Sequence, residues 1–380
     1  MNGLKSAPAS AHDLAPAVLR RTIALAGIPA PTGAEKARAD LVLGWWTHDG
    51  WASRVDAAGN VWAQVADGPG AGLLICAHLD TVFPDDLPHV VTAEPGRLCG
   101  PSVGDDSVGV AALSAVASLL QPRSGPGPDP GSGPVWLVAT VAEEGMGNLA
   151  GIRHALAHPP QPVSAVIAVE GNYLGRVVNT GVGSVRWRVR YAGPGGHAWE
   201  RADAPSAVHA AAGGAARLAA LIGRDAAGAR CTVNVGLIGG GEAINARARD
   251  AWFDVDLRGD GAKPLARLEK RARRIVLVVP PGISVEIEEV GRRPAGSVPP
   301  ASPIARAAAD GLRRAGLTAA FGAASTDANA ALDLGIPAVT LGVTRGAGEH
   351  TPAEWIETDP VPSGLTALAA TIDQLREEGA

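Results

Sequence analysis

Five segments of this 380-residue chain carry a histidine or a carboxylate at the end of an apolar run or in a loop. LLICA (73–77) leads into His78-Leu79-Asp80, and VWLVATV (135–141) leads to Glu143-Glu144. SAVIAV ends at Glu170, GPSVGDDSVG sets Asp105 beside Asp106 ahead of a helical pattern, and TRGAGEHTPAEW holds His350. A His beside an Asp at this spacing can ligate a metal through one ring nitrogen while the carboxylate holds the other. Adjacent carboxylates beyond a buried strand repel one another and lose hydration unless a cation or a proton compensates. Taken singly, each segment has an ordinary explanation: a strand-end salt bridge, an N-cap at the head of a helix, a solvated loop pair. Together they point to a dinuclear site, with one Asp bridging two divalent ions and each ion gaining a His and a carboxylate more.

Other constellations are weaker. His154 and His158 are spaced i,i+4, but the Glu of an H-E-x-x-H zinc helix is missing, so they read as an exposed helix face. Cys76 falls inside an apolar strand and reads as a buried thiol, and three cysteines are too few and scattered for a disulfide framework. No G-x-S-x-G and no P-loop occurs, and GGGEAIN (239–245) has neither the Lys nor the strand-to-helix setting of a phosphate loop. Lys and Arg number 33 against 38 Asp and Glu, a net charge of −5 with no basic block, which argues against a nucleic-acid partner. With no apolar leader and no run of 18 apolar residues, the expectation is a cytoplasmic protein that engages no membrane.

The elements that must hold these residues fall into two styles. At 46% hydrophobic residues the chain can bury a sizeable core. The runs at 73–77, 135–141 and 164–170 lack polar alternation, as strands buried on both faces do, and a helical pattern covers 108–120. Strand, helix, strand argues for a mixed, mainly parallel sheet flanked by helices, an α/β fold. From 184 the pattern alternates: VRWRVRY (185–191), RDAWFDVDLR (249–258) and ISVEIEEV (283–290) predict antiparallel strands with one wet face. With helices over 205–222 and 262–274 and a strand over 231–238, the order is β-α-β-β-α-β, the ferredoxin-like α+β motif. After 292 the first style returns, with a helix over 303–315, an apolar run at 336–343 and a last helix over 362–377. We therefore expect a discontinuous domain, 1–183 with 293–380, interrupted by an inserted domain over 184–292. QPRSGPGPDPGSGP (121–134) reads as a flexible surface loop.

The stretches AHLDTVFP, GPSVGDDSVG, ATVAEEGMGN, AVEG, YAGPGGHA and STDANAALDLGIPAVTLGV, followed by GEHTPAEW, resemble the M20 family of metallopeptidases and amidohydrolases, in the family's order and over nearly the whole chain. The resemblance implies that Asp105 bridges two ions, that His78 and Glu170 complete one, and that Glu144 and His350 complete the other. It implies Glu143 as general base, Asp80 as the partner of the His78 ring, and two divalent ions, zinc first, with cobalt or manganese also suited. It further implies that the inserted domain is a lid through which two copies dimerise. His197 (GPGGHA) would be the lid histidine that reaches across to the reacting oxygen, and Asn245 and Arg258 would hold the substrate. The substrate class implied is a small peptide, cleaved by an exopeptidase of carboxypeptidase or tripeptidase type, or an N-acyl amino acid. A catalytically silent, small-molecule-binding relative should have lost Glu143 or a ligand, and this chain has both. The family usually has Gly where Ser102 stands and Lys where Ser107 stands.

Overall fold

The computed structural model describes residues 10–120, 133–221, 223–224 and 228–379, and these divide into two compact units. One holds the described residues up to Asn179 and from Ser297 onward, the other Thr180–Gly296. The Pro/Gly-rich stretch expected as a loop lies, over 121–132, outside the described residues.

The centre of the first unit is parallel. Strand Gly72–His78 lies between Val135–Thr140 and Val163–Val169, parallel to both, and Ala338–Leu341 runs parallel to Val163–Val169 on its other side. The hairpin Ala52–Val55/Val61–Ala66 adds antiparallel strands beyond Val135–Thr140. All seven residues of Gly72–His78 are buried, as unbroken apolar runs require when helices cover both faces. Strand alternation sends Leu73, Ile75 and Ala77 to one face, against helices Ala11–Ala26, Val108–Leu119, Pro303–Arg314 and Val361–Glu378. Leu74 and Cys76 face the other way, toward Ile152 and Leu156 of helix Ala150–Ala157 and Ala328 and Ala331 of helix Ala328–Asp333. Parallel strands deliver their C-terminal ends to one edge, and His78, Thr140 and Val169 all end there, so the loops that follow them converge.

The main antiparallel sheet of the second unit runs in the order Gly223–Arg224, Arg230–Gly240, Asp250–Gly259, Gly183–Ala192, Ser284–Arg293, with helices Ala207–Ala219 and Ala262–Val276, and a short pair joins Gly196–His197 to Ala246–Arg247. Val185, Trp187, Val189 and Tyr191 are buried and pack with Phe253, Val255 and Leu257. Arg186, Arg188 and Arg190 alternate with them on the outer face, where Arg188 pairs with Asp254 and Arg190 with Glu288. Strand order and helix placement are those of the ferredoxin-like motif. Among the described residues no helix is long and apolar enough to cross a membrane.

Candidate metal centre

Asp105 lies at the heart of the first unit's loop edge. The helix read from 108–120 begins only at Val108, and Asp105 and Asp106 precede it in a turn with non-helical backbone, joined by a cis peptide bond. The N-cap explanation therefore fails for both. Asp106 is fully buried, and its oxygens accept the backbone N–H groups of His78 (3.2 Å) and Gly171 (2.9 Å), which ties two strand ends together. Asp105 presents one carboxylate oxygen to each of two imidazoles: Oδ1 lies 2.8 Å from His78 Nε2 and Oδ2 3.1 Å from His350 Nε2. Glu144 Oε1 meets the same His350 nitrogen at 3.0 Å.

The structure brings all five residues implied as ligands into two sets that share Asp105. His78, Asp105 and Glu170 have ligand atoms within 4.8 Å of one another, and so do Asp105, Glu144 and His350. A third set, His78 with Glu143 and Glu144, meets the same limit. The His154–His158 pair belongs to none of these sets; its rings lie 4.4 Å apart on and just beyond helix Ala150–Ala157.

Whether these donors suit divalent ions can be judged from their electrostatics. Burial, reinforced by Asp105, Asp106 and Glu143, pushes the Glu170 carboxyl well above the usual range despite the His78 charge. Burial opposes a charge on His78, yet its bonds to Asp105 and Asp80 raise that ring well above an ordinary histidine. Hydrogen bonds to Asp105 and Glu144 push His350 up to about 10. A buried cluster of acids that draws protons onto both imidazoles calls for positive charge. Two His and three carboxylates, one of them the shared Asp105, fit two divalent cations of the zinc, cobalt or manganese type.

Asp80 is buried and differs in detail from a simple partner of the His78 ring. His78 Nδ1 bonds the backbone oxygen of Asp80 at 3.0 Å, with the carboxylate at 3.6 Å. The carboxylate accepts the N–H groups of Glu143 (2.9 Å) and Glu144 (2.8 Å) and the Thr32 hydroxyl (2.8 Å). Burial alone would raise this carboxyl, but the bond to His78, the His78 charge and the two loop N–H groups bring it below the ordinary value. Asp80 is thus the anchor of the loop that carries Glu143, which is itself buried.

Further supports escaped the sequence reading. Glu35 accepts the N–H of Ala142 at 3.1 Å, beside Glu143, where Ala142 stands in the left-handed region at φ 55°. Arg38, fully buried, donates to Ile28 O, Leu79 O and the Ser102 hydroxyl, with Asp80, Glu354 and Asp106 around it. Ser102 also takes the left-handed region, at φ 58°, which explains why Gly suits this position and why the Ser is retained by an Arg38 bond. Ser107, where the family carries Lys, is buried with no partner for its hydroxyl. Nothing in a single sequence separates Thr32, Glu35 or Arg38 from surface residues; only Glu354, an acid just ahead of an apolar strand in GEHTPAEW, left a faint signal.

In the second unit, His197 and Asn245 are neighbours. Gly196–His197 pairs with Ala246–Arg247, and the Ala198 N–H bonds Asn245 O at 2.8 Å. Both line a pocket of about 360 Å³ with Glu242, Arg247 and Arg249. Arg258 is not with them. It sits at the other end of strand Asp250–Gly259, opposite Ser184, and its guanidinium is held by Asp256 at 2.9 Å. Eight residues of strand put Arg258 on the order of 25 Å from the Asp250 end.

No curated protein matches the chain in sequence. Among solved structures it is similar to a tripeptidase from Staphylococcus aureus, with TM-score 0.77 and 19% identity over 96% of this chain and 99% of that one. It is also similar to the aminopeptidase PepT from Bacillus cereus (TM-score 0.76, 18% identity, 95% and 98% covered). A third is the Bacillus subtilis protein YXEP, described as a dinuclear metal binding peptidase (0.70, 16%, 96% and 99%). These likenesses establish the fold. The model of peptidase family M20/M25/M40 matches residues 74–374, well over half of the chain, and the chain belongs to that family.

Proposed function

We propose that this protein cleaves the amide bond of a small peptide as a two-metal exopeptidase, with Glu143 as its general base. Family membership makes it a hydrolase of amide or peptide bonds. The observation that carries the reading is the split of Asp105, one oxygen toward His78 and the other toward His350. His78 and Glu170 would hold one ion with Asp105, and Glu144 and His350 the other. When bound, such a pair supplies Lewis acidity, which acidifies water and polarises a carbonyl. Glu143 takes the proton of the attacking water and returns it to the leaving amine. Asp80, itself held by the Thr32 hydroxyl, and Glu35 keep Glu143 aimed by accepting N–H groups of its loop.

The STDAN and EHTPAEW stretches favour a peptide substrate of tripeptidase or carboxypeptidase type over an N-acyl amino acid. His197 and Asn245 would close over the reacting group and Arg258 would hold a substrate carboxylate. The separation of His197, on the short pair with Ala246–Arg247, from Arg258, at the far end of strand Asp250–Gly259, supports a homodimer in which His197 serves the partner's site. We place the protein in the cytoplasm, with zinc as the expected metal.

The test is hydrolysis of a panel of dipeptides, tripeptides, C-terminal glutamyl peptides and N-acetyl amino acids, with apoprotein reloaded with zinc, cobalt or manganese. Turnover of a peptide class that requires metal is expected. Turnover of N-acetyl amino acids alone would replace the peptidase reading with a deacylase, and turnover indifferent to metal would refute the mechanism.

A further inference from the structure

Glu354 has no place in the mechanism above, yet it is fully buried beside it. Its Oε1 accepts the N–H groups of Gly104 (2.8 Å) and Asp105 (2.7 Å), and its Oε2 accepts that of Ser102 (3.0 Å). Three backbone donors of one irregular turn thus converge on a single carboxylate. Buried N–H groups outside regular structure need an acceptor, and the two oxygens of this one carboxyl group supply it for all three.

The main chain of Glu354 is tied at the same place. Its carbonyl accepts the Gly100 N–H at 2.8 Å, and its own N–H bonds Thr351 O at 3.1 Å, next to His350. Strand Trp355–Glu357 then pairs with Arg97–Cys99, and the Arg97 guanidinium stacks 4.0 Å over the Trp355 ring. Glu354 therefore belongs to the segment that carries His350 while its side chain grips the turn that carries Asp105. A carboxylate that must face two imidazoles at once tolerates little rotation of its own peptide, and Glu354 holds that peptide's N–H.

We propose that Glu354 is a positioning residue: by joining the Asp105 turn to the His350 segment it sets the spacing of the ligands on that side of the centre. The inference rests on the two-ion reading. It predicts that disturbing Glu354 loosens the ion held by Asp105, Glu144 and His350 before the ion held by His78 and Glu170.

The experiment is cobalt(II) titration of the metal-free full-length chain, followed by visible absorption and by competition with a chelator, with thermal stability recorded alongside. Glu354→Gln keeps one acceptor oxygen and turns an NH₂ against the remaining donors. Gly104→Ala leaves Glu354 intact but places a Cβ 2.7 Å from its Oε1, which displaces the carboxylate, so either variant can carry the test if the other does not fold. The expected result is that the wild type binds two cobalt ions and that each variant holds one of them at least tenfold more weakly, with an altered visible spectrum. Two ions bound with wild-type affinity and spectrum would overturn the proposal, whatever the loss of thermal stability. A wild type that binds no cobalt would bring down the two-ion reading itself, a failure visible without either variant.

Discussion

Asp80 Oδ1 accepts the backbone N–H of Glu143 at 2.9 Å, so the residue implied as the partner of a ligand also holds the proposed base. The same carboxylate accepts Glu144 N–H at 2.8 Å, and one side chain thereby holds the backbone of a proposed ligand and of the proposed base from a single buried point.

Asp80→Ala should therefore act twice. Removing a buried acceptor strands two N–H groups, which costs about 2–4 kcal/mol. Loosening the Glu143 loop should reduce kcat by about 100-fold, since small misplacements of catalytic groups are expensive. Urea unfolding and steady-state kinetics measure the two losses. A variant with reduced stability and unchanged kcat would confine Asp80 to a structural role.

Glu143→Ala removes the base and, in this account, no ligand. Metal content by elemental analysis should stay at two per chain while kcat falls by about 10²–10⁴-fold. Near-normal turnover would remove Glu143 from the mechanism, and loss of an ion would make it a ligand.

His197→Ala should lower kcat without changing metal content. Mixing His197→Ala with Glu143→Ala protein should restore activity to about a quarter of wild type when subunits exchange freely and His197 acts across a dimer, since roughly one site in four then has both residues. No recovery under demonstrated subunit exchange would return His197 to its own chain or to no role.

Far from the centre, Asp56 predicts a pH effect on stability. Burial alone raises its carboxyl, but bonds from Trp62 Nε1, Asn60 and the Ala58 N–H more than reverse this and hold it below the usual carboxylate range. A carboxyl depressed in the folded state contributes stability that is complete above its unfolded pKa and is lost as pH falls through the folded one. Asp56→Ala should therefore cost about 2 kcal/mol at pH 7, with the difference from wild type shrinking below about pH 4. Thermal melts of both proteins across pH 3–7 read this directly; a gap that widens toward pH 3 would contradict it.

Three of the segments proposed to hold the ions are legible in the sequence because each ends an apolar run: His78 after Leu73–Ala77, Glu144 with Glu143 just after Val135–Val141, Glu170 after Ser164–Val169; Asp105 and His350 end no such run, and the role of each residue is implied only by the resemblance to the M20 family. Parallel pairing then makes consecutive strand ends spatial neighbours. The alternation of Val185, Trp187, Val189 and Tyr191 exposed the second unit's sheet in the same way. The small sheet that holds Glu354 was hidden, because its strands Thr92–Glu94, Arg97–Cys99, Gly346–Ala347 and Trp355–Glu357 are too short to show a period. Glu35, Arg38 and Glu354 were missed for a related reason. They bind backbone groups of other segments, Glu35 and Glu354 as acceptors of N–H groups and Arg38 as donor to carbonyls, and a backbone partner leaves little mark in the sequence. The pattern ahead of residue 108 leaves an N-cap open for Asp105 and Asp106, and the structure removes that alternative: the turn aims both carboxylates away from the helix, toward His78, Gly171 and His350.

The central claim is that one Asp105 carboxylate serves two ions, and anomalous diffraction from zinc-loaded crystals tests it most directly. The account predicts two zinc peaks about 3.5–4 Å apart. Each should lie within about 2.2 Å of a different Asp105 oxygen, with His78 and Glu170 on one, Glu144 and His350 on the other, and Glu143 on neither. A single peak held by His78, Glu143 and Glu144, the third set of donors the structure brings together, would contradict it.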